Sequence, residues 1–436
     1  MALVQQAMQH HAAGQQAQAR ALYTQALAQD PAQPDALHLL GLLEAQNNHY
    51  AQAEALIWQA IQARPDEAMF HNNLANVCLE QGRATEAEAL YLRTLQLDGG
   101  RLDALSNLGM LLSKTDRPDA AERLLLKAVE LAPHNADWRQ NLANHYLRQG
   151  RDAEALTQCH DGLVIAPRSR TLRGLMVLAY TTLGLPDKAI EVLQAWIKNE
   201  PDDPYPRHHL AAITGQQIPD RAADAYVTGI FDNFARSFDA KLADLSYQAP
   251  QQVAAEADRL LGAPNQSLAV LDAGCGTGLC GPLLAPHAAQ LTGVDLSEGM
   301  LRKAEERGIY TQLFQGELVA FLAAQPAAWD LIASADTLCY FGKIDAFAHA
   351  AHAALRGAGV LVFTVEAHDD HHPDGTPQSD FILRGHGRYS QSQRYVAACL
   401  HAAGLQAVQL APVILRNECN KPVDGWLVSA RAASAA

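Results

Sequence analysis

The sequence predicts two folds in one chain: an all-α solenoid of helical hairpins over residues 1–203, and an α/β domain with a doubly wound, mostly parallel sheet over residues 248–436. A linker and an aromatic helical cap, residues 204–247, join them. Three observations predict this. Small residues recur every 34 positions through the first half. Short apolar runs alternate with helical ones from about residue 267. The first of those runs ends in a glycine-rich turn, VLDAGCGTG, at residues 270–278.

The repeat comes first because it decides the architecture. Ala19, Ala53, Ala87, Ala121, Ala155 and Ala189 form one column, and Ala7, Gly41, Ala75, Gly109, Ala143 and Val177 form a second. Pro31, Pro65, Pro133, Pro167 and Pro201 form a third, with Gly99 in the one missing place. Two antiparallel helices approach closely only where small side chains stand at their crossing, and proline ends the second helix because it lacks an N–H to continue the ladder. With its period of 34, the array resembles tetratricopeptide repeats, about six of them; ankyrin and HEAT periods drift out of phase. The first repeat departs from the pattern and reads as an end cap, and Trp196 stands where a small residue is expected.

Asn73, Asn107 and Asn141 share the same step on the first helices of three successive repeats. Two readings are open. A ladder of amides can pair with both the N–H and C=O groups of an extended peptide, as in the arrays of peptide-binding repeat proteins such as O-GlcNAc transferase, which this column resembles. Alternatively the amides bond neighbouring helices or face water.

The rhythm stops at Pro201, Pro204 and Pro206. An aromatic stretch follows, with Tyr226, Phe231, Phe234, Phe238 and Tyr247; the 231, 234, 238 spacing gives a helix one aromatic face. That face either packs into the second domain or supplies a lid, for which Tyr226, Phe231 and Phe234 are the candidates.

In the second domain SLAVLDAG, QLTGVDLS, YTQLFQG, WDLIASAD, GVLVFTVEA, AVQLAPVIL and GWLVSAR read as strands. Ligands of such sheets bind at the carboxyl ends of the strands. Gly274, Gly276 and Gly278 let a ligand approach the backbone without meeting a Cβ. Their spacing is G-x-G-x-G, not the G-x-G-x-x-G of a dinucleotide site. Seventeen residues beyond Gly278, Asp295 ends the second strand, where a carboxylate can accept both hydroxyls of a ribose.

This combination resembles class I S-adenosylmethionine-dependent methyltransferases. With the repeats, FDNFARSFDAKL, DLIASADTLCYFG, GRYSQSQRYV and VILRNECNKPVDGWLVSAR, nearly the whole chain resembles methyltransferases that carry tetratricopeptide repeats. The resemblance implies S-adenosylmethionine as cofactor, its methionine part at the turn of Asp272, Ala273, Gly274, Cys275, Gly276 and Gly278. It implies Asp295 on the ribose, Leu296 and Met300 flanking adenine, and Glu317 with Leu318 at the adenine edge, the family's usual residue at 317 being Asp.

A sulfonium methyl is already electrophilic, so the protein chiefly has to align the reactants and exclude water. The SADTLCYFG segment lacks the N-P-P-Y or D-P-P-Y of adenine-N6 and glutamine methyltransferases. Asp336 and Tyr340 there are the candidates to orient the acceptor or take its proton, the alternative for Asp336 being a contact to a helix N-terminus. EAHDDHHPDG, residues 366–375, reads as a polar surface loop with His368 as an acceptor-site lid; its His and acidic side chains suit a metal, but methyl transfer needs none and none is expected. Arg388 and Tyr389 read as opening the next helix, either facing the acceptor or capping.

Composition limits the partners. The 33 basic and 47 acidic residues leave a charge of −14, which repels a phosphate backbone, so nucleic acid is not expected as a main partner. No apolar run approaches the roughly 18 residues of a membrane span. Seven scattered cysteines without a C-x-x-C pair fit reduced thiols, and the N-terminus has no basic head followed by an apolar core, so a cytoplasmic location is expected. The leading expectation is a methyltransferase acting on a peptide or protein side chain captured by the repeats. The alternatives are a small-metabolite methyltransferase, for instance of a carboxylic acid, with the repeats as scaffold, and a non-enzymatic adaptor.

Overall fold

The computed structural model describes residues 2–115, 117–235, 238–418 and 421–433. They form two compact units, Met1–Val192 and Leu193–Ala436.

Six helical hairpins follow the 34-residue step: Ala2–Ala12 with Gln16–Gln29, Pro34–Gln46 with Tyr50–Ala63, Ala68–Glu80 with Ala84–Leu97, Leu102–Leu112 with Pro118–Leu131, Ala136–Arg148 with Asp152–Ile165, and Arg170–Thr182 with Pro186–Asn199. The alanine column from Ala19 to Ala189 is fully buried. At Gly41 and Gly109 a Cβ would stand 2.7 Å from Ile57 and Leu125, so the crossings have no room for a larger side chain. The column prolines sit two residues beyond the second helices. A ladder joins those helices: Arg83, Arg117 and Arg151 each reach, at 2.6 Å, Glu54, Glu88 and Glu122 of the preceding hairpin.

In the second unit Trp196, 2% exposed, stacks on Tyr205 at 5.3 Å, which is why a large ring is tolerated there. The sheet contains β1 (Leu268–Ala273), β2 (Ala288–Asp295), β3 (Gln312–Gln315), β4 (Trp329–Ser334), β5 (Leu355–His368), β6 (Phe381–Leu383), β7 (Tyr389–Ser392), β8 (Gln406–Glu418) and β9 (Lys421–Arg431). Its order is β3-β2-β1-β4-β5-β7-β6, with β1 to β5 parallel; β9 runs antiparallel to β5 and carries β8 on its outer side. Neighbouring residues of the central strands enter opposite cores: Leu271, Ile332, Leu361 and Phe363 on one face, Val270, Leu331, Val360 and Val362 on the other. Burial on both faces is what turns these strands into continuous apolar runs.

Two expectations need correction. GRYSQS does not open a helix: Tyr389–Ser392 is a strand paired with β5 and β6, and Ser392 caps the helix Gln393–Ala402. Nor does the polar loop begin at residue 366, which lies inside the fifth strand. The strand continues to His368, with Glu366 and His368 buried, because β7 and β9 both pair with its end.

Candidate active site

The turn after β1 is held against β2 by two backbone bonds, Gly274 and Cys275 N–H donating to Val294 C=O at 2.8 and 3.0 Å. Gly274 has φ +75°, and a Cβ there would overlap Thr337. Gly276 has φ +53°, and a Cβ there would meet no atom within 4 Å, so this stretch of backbone faces open space. The Gly276 N–H donates to Asp295 Oδ2 at 2.9 Å, and the Ser297 N–H to Asp295 Oδ1 at 2.8 Å. Burial pushes the Asp295 carboxyl up from its ordinary value against the pull of these N–H groups. Ser297 caps the helix Glu298–Glu306, which sets Met300 in its first turn.

These elements open into one cavity of about 350 Å³ at the carboxyl ends of the strands. Of the residues assigned to the cofactor, Gly274, Cys275, Gly276, Asp295, Leu296, Met300, Glu317 and Leu318 line it. The Glu317 carboxylate already accepts the Val319 and Ala320 N–H groups at 3.1 and 2.8 Å as a helix cap. Asp272, Ala273 and Gly278 lie outside the lining. Asp272 is buried in β1 and accepts the Tyr310 hydroxyl at 2.6 Å, and burial raises its carboxyl to about 7. A Cβ on Gly278 would come 2.9 Å from the Tyr310 ring, so this glycine serves packing.

Asp336, Tyr340, Phe231, Phe234 and Arg388 line the same cavity. Asp336 adopts φ +57°, its N–H donating to Thr364 Oγ1 at 2.9 Å. Its Oδ2 is paired with Arg416, not with a helix N-terminus, and its Oδ1 is buried without a hydrogen-bond partner among the described residues. Arg416, 3% exposed, also holds Glu366, and its Nε reaches Glu418 at 2.7 Å. Arg388 reaches Glu366 at 2.5 Å and Glu418 at 2.7 Å. Two guanidiniums are thus interlocked with three carboxylates. Arg416 and Glu418 were not singled out from the sequence, and Glu366 only as one acid of the segment 366–375, although a charge inside the apolar runs VFTVEA and PVILRNE was a usable signal.

The Tyr340 ring meets Phe231 edge-on at 5.5 Å, and Phe231 meets Phe238 at 5.8 Å. Phe234, 39% exposed, carries the Lys241 ammonium 3.8 Å above its ring. Tyr226 is not a lid. It is 3% exposed, outside the lining, and packed on His208 at 4.1 Å, while His208 Nε2 bonds the Gly387 C=O at 2.8 Å. His368 and Tyr389 also stand behind the wall. The ring nitrogens of His368 bond Ser379 O at 2.8 Å and Ser390 Oγ at 3.2 Å, and the Tyr389 hydroxyl donates to Pro219 O at 2.9 Å. Cys275, Cys280 and Cys339 line the cavity as thiols pushed up by burial, poor nucleophiles. Cys419 lies outside the described residues.

In the first unit the asparagine amides bond between repeats. Asn73 Nδ2 donates to His38 Nε2 at 2.8 Å, Asn107 Nδ2 to Asn76 Oδ1 at 3.0 Å, and Asn141 Nδ2 to Ser106 Oγ at 2.7 Å. Burial pushes the His38 imidazole down to about 4, which leaves it neutral and able to accept.

The family described as a methyltransferase domain matches residues 245–410, and tetratricopeptide-repeat families match residues 5–57, 66–134 and 116–170. The chain joins tetratricopeptide repeats to a methyltransferase domain. Over 111 residues it is 39% identical to Methyltransferase-like protein 27 of Homo sapiens, covering 25% of this chain and 43% of that protein. Over 99 residues it is 34% identical to Ubiquinone biosynthesis O-methyltransferase of Idiomarina loihiensis, covering 22% and 41%. The chain spans less than half the length of either curated relative. A solved structure described as an S-adenosylmethionine dependent methyltransferase from Listeria monocytogenes aligns with TM-score 0.33 and 20% identity, over 42% of this chain and 99% of that one. Among the described residues, no helix is long and apolar enough to cross a membrane, and no group of three or more His, Cys, Asp or Glu side chains is placed to hold a metal ion.

Proposed function

We propose that the chain transfers a methyl group from S-adenosylmethionine to a side chain of a peptide or protein captured by its repeats. One observation carries the transfer: the glycine turn with Asp295 lines a single cavity together with Asp336 and Tyr340. The residues present fit the cofactor. Open space above Gly276 admits a ligand against the backbone, Asp295 offers a carboxylate at the end of β2, and Leu296, Met300 and Leu318 offer an apolar surface for a base. When bound, S-adenosylmethionine supplies an electrophilic methyl group.

The protein's own share is positioning and drying. Phe231 and Tyr340, packed edge-on in the lining, shield it from water, which strengthens charge interactions inside the cavity. Asp336, fixed through its backbone by Thr364 and through Oδ2 by Arg416, is the lining carboxylate assigned to orient an acceptor or take its proton. Repeat arrays present extended surfaces suited to peptides, which supports a macromolecular acceptor. A second reading, a small acceptor with the repeats as scaffold, is favoured by the asparagine amides, whose nitrogens already bond neighbouring helices. The test is incubation with radiolabelled S-adenosylmethionine and an extract from cells lacking the protein, followed by separation of labelled protein from labelled small molecules. Label confined to small molecules would overturn the macromolecular acceptor.

A further inference from the structure

Two helices of the aromatic stretch, Asp224–Phe234 and Phe238–Asp244, are fastened to the elements that carry the cofactor candidates. Asp232 of the first accepts the Ser297 hydroxyl at 2.5 Å and the Gly299 N–H at 3.3 Å. Asp239 of the second accepts the Thr277 hydroxyl with one oxygen and meets Arg307 at 2.6 Å with the other. The Arg307 Nε donates in turn to the Thr277 C=O at 2.6 Å. Ser297 is the residue whose N–H holds Asp295, and Thr277 follows Gly276 in the glycine turn. One aspartate therefore ties its helix just past the end of β2, and the other ties its helix to the turn after β1.

The same two helices present Phe231, Phe234, Phe238, Lys241 and Leu242 to the cavity that Gly276 and Asp295 also line. Phe231 packs edge-on against Phe238, and the Lys241 ammonium sits over the Phe234 ring, so the inner side of the pair is one connected surface. The ties are of a kind that can release. Both aspartates reach solvent, the Asp239 side chain being 49% exposed, and a polar contact that water can replace adds little net stability. Their partners Ser297 and Thr277 are buried. The cofactor candidate does not depend on them: Asp295 is held by the backbone N–H groups of Gly276 and Ser297, which no substitution at 232 or 239 removes.

We propose that the helices Asp224–Phe234 and Phe238–Asp244 form a lid over the S-adenosylmethionine site, and that Asp232 and Asp239 are its latches, positioning residues that set how fast cofactor enters and leaves. This deepens the reading of the cavity as the S-adenosylmethionine site and rests on it. The latch bonds run between groups of the chain, so they act alike whether or not cofactor is held. Removing one makes opening easier in the free and the occupied chain together. Association and dissociation both quicken, and the affinity, their ratio, is nearly kept, because an interaction equal in both states does not shift the equilibrium between them.

The test uses the full chain and surface plasmon resonance with S-adenosylmethionine as the probe. Asp232→Ala and Asp239→Ala should each raise both rate constants about tenfold, the effect of one or two hydrogen bonds to a carboxylate, with affinity within about threefold of the unaltered chain. Asp232→Asn keeps an oxygen that can accept from Ser297 and Gly299, and both its rates should stay within about threefold. Unchanged rates in both alanine variants overturn the proposal. So does faster dissociation with unchanged or slower association, the mark of a damaged site and not of a freed lid. Hydrogen exchange on the unaltered chain needs no variant: S-adenosylmethionine should slow the helical amides of Asp224–Phe234 and Phe238–Asp244 at least about tenfold, since the lid then opens only by giving up ligand contacts. Exchange there that the cofactor leaves unaltered overturns the lid. Absence of any cofactor binding by calorimetry would strike the cofactor reading itself, and the lid with it.

Discussion

The repeat array and the cavity wall both hold arginines against glutamates, and they differ in how the partners are arranged along the chain. In the array each arginine reaches a glutamate exactly one hairpin back, so three pairs repeat one geometry: Arg83 with Glu54, Arg117 with Glu88, Arg151 with Glu122. These arginines are 31%, 49% and 38% exposed, and such pairs are individually weak. At the wall, Arg416 is 3% exposed and joins Asp336 in the turn after β4, Glu366 on β5 and Glu418 on its own strand β8. A periodic pair is cheap to lose and visible in the sequence. A buried cluster is costly to lose and nearly invisible there.

The largest expected effect breaks the comparison at its buried end. Arg416→Met removes the cation shared by Asp336 and Glu366; Glu366 keeps Arg388, and Asp336 is left buried without a counter-charge. The expected loss is about 3–5 kcal/mol of stability, read as a lower urea midpoint. A loss below about 1 kcal/mol would put this cluster in the same class as the exposed ladder.

Next comes a pH effect confined to the second unit. Burial raises Asp272 to about 7 from an ordinary 3.8, so the folded chain keeps a proton that the unfolded chain releases at lower pH. Its stabilising contribution is full below about pH 4 and is lost as pH rises through about 7. Asp272→Asn stays neutral and can still accept the Tyr310 hydroxyl, so it should gain on the unaltered chain between pH 5 and pH 8, by about 2 kcal/mol at the upper end. Thermal melts across that range check it; a difference that does not grow with pH would contradict it.

Asp295→Ala should weaken S-adenosylmethionine binding by about tenfold or more, since a ribose that loses its acceptor costs roughly 1–3 kcal/mol. Calorimetry measures this, with circular dichroism unchanged. Equal affinity in the variant would take Asp295 out of the site.

These residues also mark what the sequence could reveal. The alanine columns, the prolines and the glycine turn with Asp295 were legible because each depends on neighbours at fixed spacing: helix crossings 34 residues apart, or a strand end and the turn after it. The aromatic face at 231, 234 and 238 was legible as a period, but Tyr226 was misassigned, because periodicity does not say that His208 covers its ring. Glu366 read as the start of a polar loop because its partners, Arg388 and Arg416, lie 22 and 50 residues away. A charge at the end of an apolar run looks like the end of a strand until the strand that neutralises it is in place.

The smallest effect tests the periodic side. Asn141 Nδ2 donates to Ser106 Oγ at 2.7 Å, one hydrogen bond between neighbouring first helices, worth about 0.5–1.5 kcal/mol. If that is the whole role of the asparagine column, Asn141→Ala lowers the unfolding midpoint of the array by that amount and leaves methylation of the natural acceptor unchanged at every acceptor concentration. If the amide also reads a captured peptide through its carbonyl oxygen, the variant raises the acceptor concentration needed for half-maximal rate by up to about tenfold, while the rate at saturation is kept, because binding and not chemistry was removed. Each outcome fixes what the array contributes: a shift in concentration dependence makes it part of acceptor recognition, and its absence makes the column a set of struts between helices and moves the small-acceptor reading ahead.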